Sequence, residues 1–230
     1  MKKLFLAVSF LLAVAALNAQ SLEDIINNYT LANKLDKISN FKTIHVSAKM
    51  SMMGMDMPME MWMKNPNKIK IVTSMNGQDM VQAFDGEKGY TISPMTGSTA
   101  PVEMTAEQLK NATMSNMFNN YMAQYLKEGK LTLEGEGNVN GKPAFKIKAS
   151  LDGGNSATMF IDKSTYLILK TVTDVNQGGM TMAMESFPSD YKETNGILLP
   201  MKTTMSASGM EIVTTFTKEI EEHTSELQSH

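Results

Sequence analysis

Cysteine is absent from the 230 residues, so neither a disulfide framework nor a thiolate metal site can support this fold. Tryptophan occurs once and histidine three times, which leaves little material for histidine-based catalysis or a histidine-rich metal centre. After the N-terminal apolar run there is no further run approaching the roughly 20 residues that a membrane-spanning helix requires. The net charge is −3, without the basic excess that nucleic acid or an anionic membrane surface attracts. Stability must come from an ordinary apolar core, and about 200 residues suffice for one domain that buries one.

The two ends read differently from the middle. Lys2 and Lys3 precede an apolar run from Leu4 to Leu17 and small residues ending at Ala19, the layout of a secretory signal peptide over residues 1–19. A periplasmic protein starting at Gln20 is expected, and no cysteine follows the run to carry a lipid anchor. Residues 221–230 resemble a translated sequencing-library adapter and follow Phe216-Thr217-Lys218 without a turn signal. They are expected to be non-native, with a natural C-terminal strand lost and two of the three histidines belonging to the tail. A single domain over 20–220 remains.

Ser21 is a good N-cap with Asp24 at the capping-box position, and Leu22, Ile25, Ile26 and Tyr29 fall along one face of a helix running to about Asn33. From Thr43 the pattern alternates apolar with polar, punctuated by Asn76-Gly77, Asp85-Gly86, Asn140-Gly141, Asp152-Gly153 and Asn195-Gly196. Such pairs mark tight hairpins, because both turn residues need positive φ. An antiparallel meander is predicted. One helical stretch interrupts it: Thr105 with Gln108 opens a capping box, and Leu109, Ala112, Met117, Phe118, Tyr121, Met122 and Tyr125 follow at helical spacing. That helix either packs on the sheet as plain core or lies as a lid over a cavity.

The segment from Met50 to Met63 carries methionine at eight of fourteen positions. A turn over Met53-Gly54-Met55-Asp56 sets Met52 against Met57, Met50 against Met59, Ala48 against Met61 and Val46 against Met63, giving a wholly apolar side. The other side then pairs Lys49 with Glu60, His45 with Lys64, Ser47 with Trp62 and Ser51 with Pro58. A later strand repeats the device with Met180, Met182 and Met184. Strands usually prefer branched residues, whereas an unbranched thioether repacks around guests of different shape. Burying about ten methylenes of an acyl chain at roughly 0.8 kcal/mol each yields on the order of 8 kcal/mol before association costs, enough for reversible carriage. Two other readings fit the same residues. The methionines can simply fill a closed core, or they can bind Cu(I), although sulfurs spaced about 7 Å apart along a strand suit that ion poorly.

The stretch Met61-Trp62-Met63-Lys64-Asn65-Pro66-Asn67-Lys68-Ile69-Lys70, with Phe84-Asp85-Gly86, Tyr90, Phe160-Ile161-Asp162 and Gly196-Ile197-Leu198-Leu199-Pro200 in order behind it, resembles the bacterial lipoprotein-carrier (LolA-like and LolB-like) superfamily, in a Bacteroidota-type periplasmic form. The resemblance covers most of Ser21 to Thr217. It implies an α+β, mostly antiparallel fold: an unclosed β-barrel (half-barrel) meander with helices covering the concave face, and an apolar hollow that shields acyl chains of lipoproteins in transit to the outer membrane. It also implies an inner-membrane releasing complex and an outer-membrane acceptor as partners, and a monomer. In that superfamily an arginine before the motif's proline helps hold a lid closed; here the position is Asn65, which lacks the charged fork. The expected ligand face comprises Met50, Met52, Met57, Met59, Met61, Met63, Ile69, Ile71, Met180, Met182 and Met184.

Catalysis and cofactors are not expected. His45 is assigned to a solvated strand face without a cysteine in the chain to activate. Asp56, Glu60, Asp85 and Asp162 fall in turns or outward positions. Neither Gly153-Gly154 nor Gly178-Gly179 lies between a strand and a helix as a phosphate loop would. The alternative to a carrier is a periplasmic sensory or structural module with a closed methionine-rich core.

Overall fold

The computed structural model describes residues 20–94, 97–106, 108–109, 117–177 and 180–218. The expected signal peptide and adapter-derived tail lie outside the described residues, as do Ala112 and Gly178-Gly179. Helix α1 (Leu22–Ala32) begins at Ser21, whose hydroxyl accepts from the Asp24 amide while the Asp24 carboxylate reaches back to the Ser21 amide. Both capping-box bonds are therefore made. Ile25 and Ile26 are fully buried on its inner face. A 3-10 turn over Leu35–Asn40 leads into the sheet.

Thirteen strands follow: β1 (Thr43–Met52), β2 (Met55–Lys64), β3 (Lys68–Met75), β4 (Gln78–Phe84), β5 (Gly89–Ser93), β6 (Ser98–Glu103), β7 (Leu131–Val139), β8 (Lys142–Ser150), β9 (Ser156–Asp162), β10 (Ile168–Gln177), β11 (Met180–Thr194), β12 (Ile197–Ala207) and β13 (Met210–Phe216). They form one antiparallel sheet in the order β6-β5-β4-β3-β2-β1-β13-β12-β11-β10-β9-β8-β7. The sheet does not close; β6 and β7 are its edges. Two meanders, β1–β6 and β7–β12, are joined by β13, which pairs with β12 on one side and with β1 on the other. The architecture is an open half-barrel with its helices on one face.

Asn76-Gly77, Asn140-Gly141 and Asn195-Gly196 form two-residue turns with both φ values positive. Asp85-Gly86 belongs to the longer connection 85–88, where the Asp85 carboxylate accepts from the amides of Glu87 and Lys88. Asp152-Gly153 lies in a short 3-10 turn. Met53-Gly54 and Ser208-Gly209 adopt the same positive-φ geometry, and the first of these corrects the register expected for β1 and β2. Because the turn is two residues long, Met52 faces Met55, Met50 faces Met57, Ala48 faces Met59, Val46 faces Met61 and Ile44 faces Met63. On the other side His45 faces Trp62, Ser47 faces Glu60, Lys49 faces Pro58 and Ser51 faces Asp56. The shift is two residues, so each side chain keeps its face.

The second helical stretch also differs from expectation. The Thr105–Gln108 capping box is present, but the chain turns at Met117-Phe118 and a separate helix, α2 (Tyr121–Lys127), starts from Asn120, whose side chain accepts from the Ala123 amide at 3.2 Å. A new N-cap in mid-pattern divides one apolar stripe into two elements.

Two apolar clusters fill the helix-covered face. One joins Ile25, Ile26 and Met122 of the helices to Leu131, Phe145, Ile147, Ala149, Met159 and Ile161 of β7–β9. The other joins Ile38, Phe41 and Phe118 to Ile44, Val46, Met63, Ile69, Ile197 and Leu199.

Asp162 secures the turn between β9 and β10. Its Oδ1 accepts from the Ser164 amide (2.8 Å), the Ser164 hydroxyl (2.5 Å) and the Thr165 amide (2.9 Å). Burial pushes the carboxyl up, but these donors outweigh it and hold the pKa below its usual 3.8. A depressed folded-state pKa contributes stability that is complete above the unfolded value and is lost as pH falls through the folded one. Asp162→Ala is expected to cost about 2 kcal/mol at neutral pH, with the gap to the parent chain in urea unfolding shrinking below about pH 4. A gap unchanged down to about pH 3 would refute the assignment.

Candidate functional site

Strand register orders the helix-covered face into rows that run from closed to open. The first row, Ile44–Met63–Ile69–Phe84, is 1, 0, 4 and 8% exposed. The next, Val46–Met61–Ile71, keeps Val46 buried with Met61 and Ile71 packed against the same cluster. Ala48–Met59–Thr73–Met80 comes third, with Met59 and Met80 half-buried. Thr203–Thr214–Met50–Met57 comes fourth, with Met57 buried. The outermost row, Met205–Ile212–Met52–Met55, is open, Met205 being 39% and Met55 43% exposed.

The flank continues across β11 to β13 as Met184–Ala207–Met210. Met184 is 39% and Met210 51% exposed, and Met182, opposite Val175, is 45% exposed. The reverse side of the same strand segments is polar, with Ser51, Asp56, Thr204, Ser206, Glu211, Thr181 and Glu185 alternating against the methionines. One end of one face thus presents a continuous soft apolar surface over five strands, β11, β12, β13, β1 and β2.

The eleven residues expected to line a ligand face therefore divide. Met61, Met63, Ile69 and Ile71 belong to the packed cluster beneath the 3-10 turn and Phe118. Met50, Met57 and Met59 occupy the intermediate rows, Met52 lies in the outermost row, and Met182 and Met184 stand on the open flank. Met180 opens β11 opposite Gln177. Sequence reasoning omitted Met55, Met205 and Met210. Met55 falls inside the turn that the sequence suggests, and Met205 and Met210 join the patch only through the β12–β13–β1 pairing. Cross-strand pairing also sets Met50 beside Met57 and Met52 beside Met55 with Cβ atoms about 5 Å apart, closer than neighbours along one strand.

Two clefts lie elsewhere, among loops: one of about 500 Å³ lined by Lys37, Asn40, Phe41 and Asn195, and one of about 390 Å³ lined by Asn67, Lys68, Asp85, Gly86 and Glu87. Both have mostly polar walls, unlike the methionine flank.

The outward face of β1–β3 carries a polar cluster. His45 stacks on Trp62 with centroids 5.0 Å apart, and Lys70 lies over the same indole at 5.5 Å. Glu60 meets His45 Nε2 at 2.7 Å and accepts from the Ser47 hydroxyl at 2.7 Å. The serine thus donates to a carboxylate rather than to the imidazole, which is not the arrangement that activates a nucleophile. His45 is mostly covered by these neighbours, at 17% side-chain exposure, rather than solvated as expected. Among the described residues no three His, Cys, Asp or Glu side chains converge as a metal centre.

Asn65, where the resemblance implies an arginine, has its own ties. Its side-chain amide donates to the carbonyls of Phe41 (3.0 Å) and Ser39 (3.3 Å), and its backbone amide to Lys42. These bonds fasten the β2–β3 turn to the end of the 3-10 turn without a charged group.

Solved structures share this architecture. A LolA superfamily protein from Nitrosomonas europaea aligns with a TM-score of 0.60 at 10% identity, over 90% of this chain and 96% of its own. A DUF1329 family protein from Desulfovibrio piger aligns at 0.58 and 15% identity, covering 86% and 93%. A domain assigned to outer membrane lipoprotein sorting, from Vibrio parahaemolyticus, aligns at 0.57 and 10% identity, covering 87% and 94%. No family model and no curated protein sequence matches the chain. The fold is that of the LolA-like half-barrels.

Proposed function

We propose that this chain is a periplasmic carrier, delivered by its signal peptide, that holds acyl chains of lipoproteins or other lipids against the methionine flank on their way to the outer membrane. The observation that carries the reading is the contiguous run of half-exposed thioethers at one end of the helix-covered face. Monomeric proteins rarely leave a continuous apolar surface open unless something docks there. The likeness to a LolA superfamily protein and to a lipoprotein-sorting domain supports the same role. Binding and release need no catalytic group and no cofactor. The role calls for a releasing complex at the inner membrane and an acceptor at the outer membrane, with the carrier itself a monomer. A closed methionine core accounts for Met63 and its neighbours but leaves the open rows without a purpose.

Native mass spectrometry of gently purified protein tests the reading. Mass increments of lipid that disappear on delipidation and return when a long-chain fatty acid is added are expected. Protein that is empty throughout and takes up no fatty acid overturns it. Spectra recorded after Cu(I) addition test the soft-metal alternative, for which Met50 beside Met57 and Met52 beside Met55 supply adjacent sulfurs.

A further inference from the structure

Methionine supplies six of the nine exposed large hydrophobic side chains among the described residues: Met53, Met55, Met182, Met184, Met205 and Met210. Met53 caps the β1–β2 turn, and the other five share the helix-covered face. Other methionines are sealed in, with Met57, Met63, Met104, Met122 and Met159 at 3, 0, 6, 6 and 7% exposure. An apolar strand surface can be made of valine, isoleucine or leucine, the first two being better strand formers. Methionine adds reversible two-electron oxidation at sulfur. The chain has no cysteine, so no faster-reacting thiolate intercepts an oxidant first.

We propose that Met55, Met182, Met184, Met205 and Met210 form an oxidant-operated gate on apolar-ligand binding. The inference rests on the carrier reading. With hydrogen peroxide, a sulfur lone pair attacks one peroxide oxygen; the S–O bond forms as the O–O bond breaks, and the departing hydroxide takes up a proton to leave as water. With hypochlorous acid, chloride and a proton are released instead. A methionine sulfoxide reductase returns the thioether with a dithiol as reductant, the oxygen leaving as water and the dithiol becoming a disulfide.

The consequence follows from position. A sulfoxide on the flank remains half in water, so the fold tolerates it. An acyl chain lying there has to strip water from each S=O; Met55, Met182 and Met210 pair with Met52, Val175 and Ala207, which offer no side-chain donor in exchange, and only Met205 and Met184 have a hydroxyl in their rows, from Ser186 and Thr173. Oxidation therefore evicts the guest without unfolding the carrier.

The test uses the mature chain, graded hydrogen peroxide, and a dansylated fatty acid as probe. Peptide mapping by mass spectrometry should find one added oxygen at each of the five flank methionines before any at Met63, Met122 or Met159. Over the same doses probe affinity should fall by about tenfold or more while the near-UV circular dichroism spectrum is retained, and sulfoxide reductase with dithiothreitol should restore it. A variant with all five changed to leucine should show the same affinity before and after peroxide, whatever its starting value. Oxidation that spreads evenly through buried and exposed sites, or probe binding that survives full flank oxidation, overturns the gate alone. Failure of the untreated protein to bind the probe overturns the carrier reading and the gate with it.

Discussion

Replacing Met184, Met205 and Met210 together by lysine is expected to weaken acyl-chain binding by about a hundredfold, because each half-open thioether contributes roughly 1 kcal/mol of apolar contact to a guest and three such losses compound. The three are 39, 39 and 51% exposed and sit on adjacent strands. Lysine stems can lie along a sheet with the ammonium in water, so thermal unfolding should move by only a few degrees. Titration with a fluorescent fatty acid measures the first effect and circular dichroism the second. If affinity is unchanged, guests bind elsewhere and the flank is not the carrying surface.

Met63→Ala should do the reverse. This side chain is fully buried among Ile38, Phe41, Ile44, Val46, Ile69, Phe118, Ile197 and Leu199. Truncation leaves a cavity that rigid neighbours cannot fill, at an expected cost of about 3 kcal/mol. In a domain of this size that lowers the unfolding midpoint by roughly 6–12 °C. Affinity for a fatty acid, measured well below the transition, should change by less than about threefold. A large affinity loss with little destabilisation would place Met63 in a ligand hollow instead of a packed core. The two substitutions together separate methionine as structural filling from methionine as a contact surface.

How far the sequence anticipated this arrangement depended on whether the information was local. Asn76-Gly77, Asn140-Gly141 and Asn195-Gly196 identify hairpins because their positive-φ cost is low. Met53-Gly54 makes the same turn, yet methionine carries no such signal, and the observed register lies one pair away from the one that the turn residues suggest. The face assignment survived because strand alternation has period two. Asn120 as a second N-cap was hidden inside an apolar pattern that continues on both sides of it. The row linking Met205 to Met52 through Ile212 depends on pairing between residues about 160 positions apart, which no short window contains. For the same reason periodicity could not tell the sealed end of each strand from the open end. The alternation of Met57, Met59, Met61 and Met63 is uniform, while their exposure depends on where Ile38, Phe41 and Phe118 lie across them.

The place of β13 bears on how the protein acquires its shape. Until residues 210–216 arrive, β1 has a bare hydrogen-bonding edge and the two meanders are tethered only through 104–130. A contact that closes such a long stretch of chain is slow to form, and an unpaired strand meanwhile invites any similar strand, including one from a second molecule. Assembly of this sheet is therefore a race between a chain's own late segment and its neighbours', and dilution during refolding should raise the yield of single-chain product.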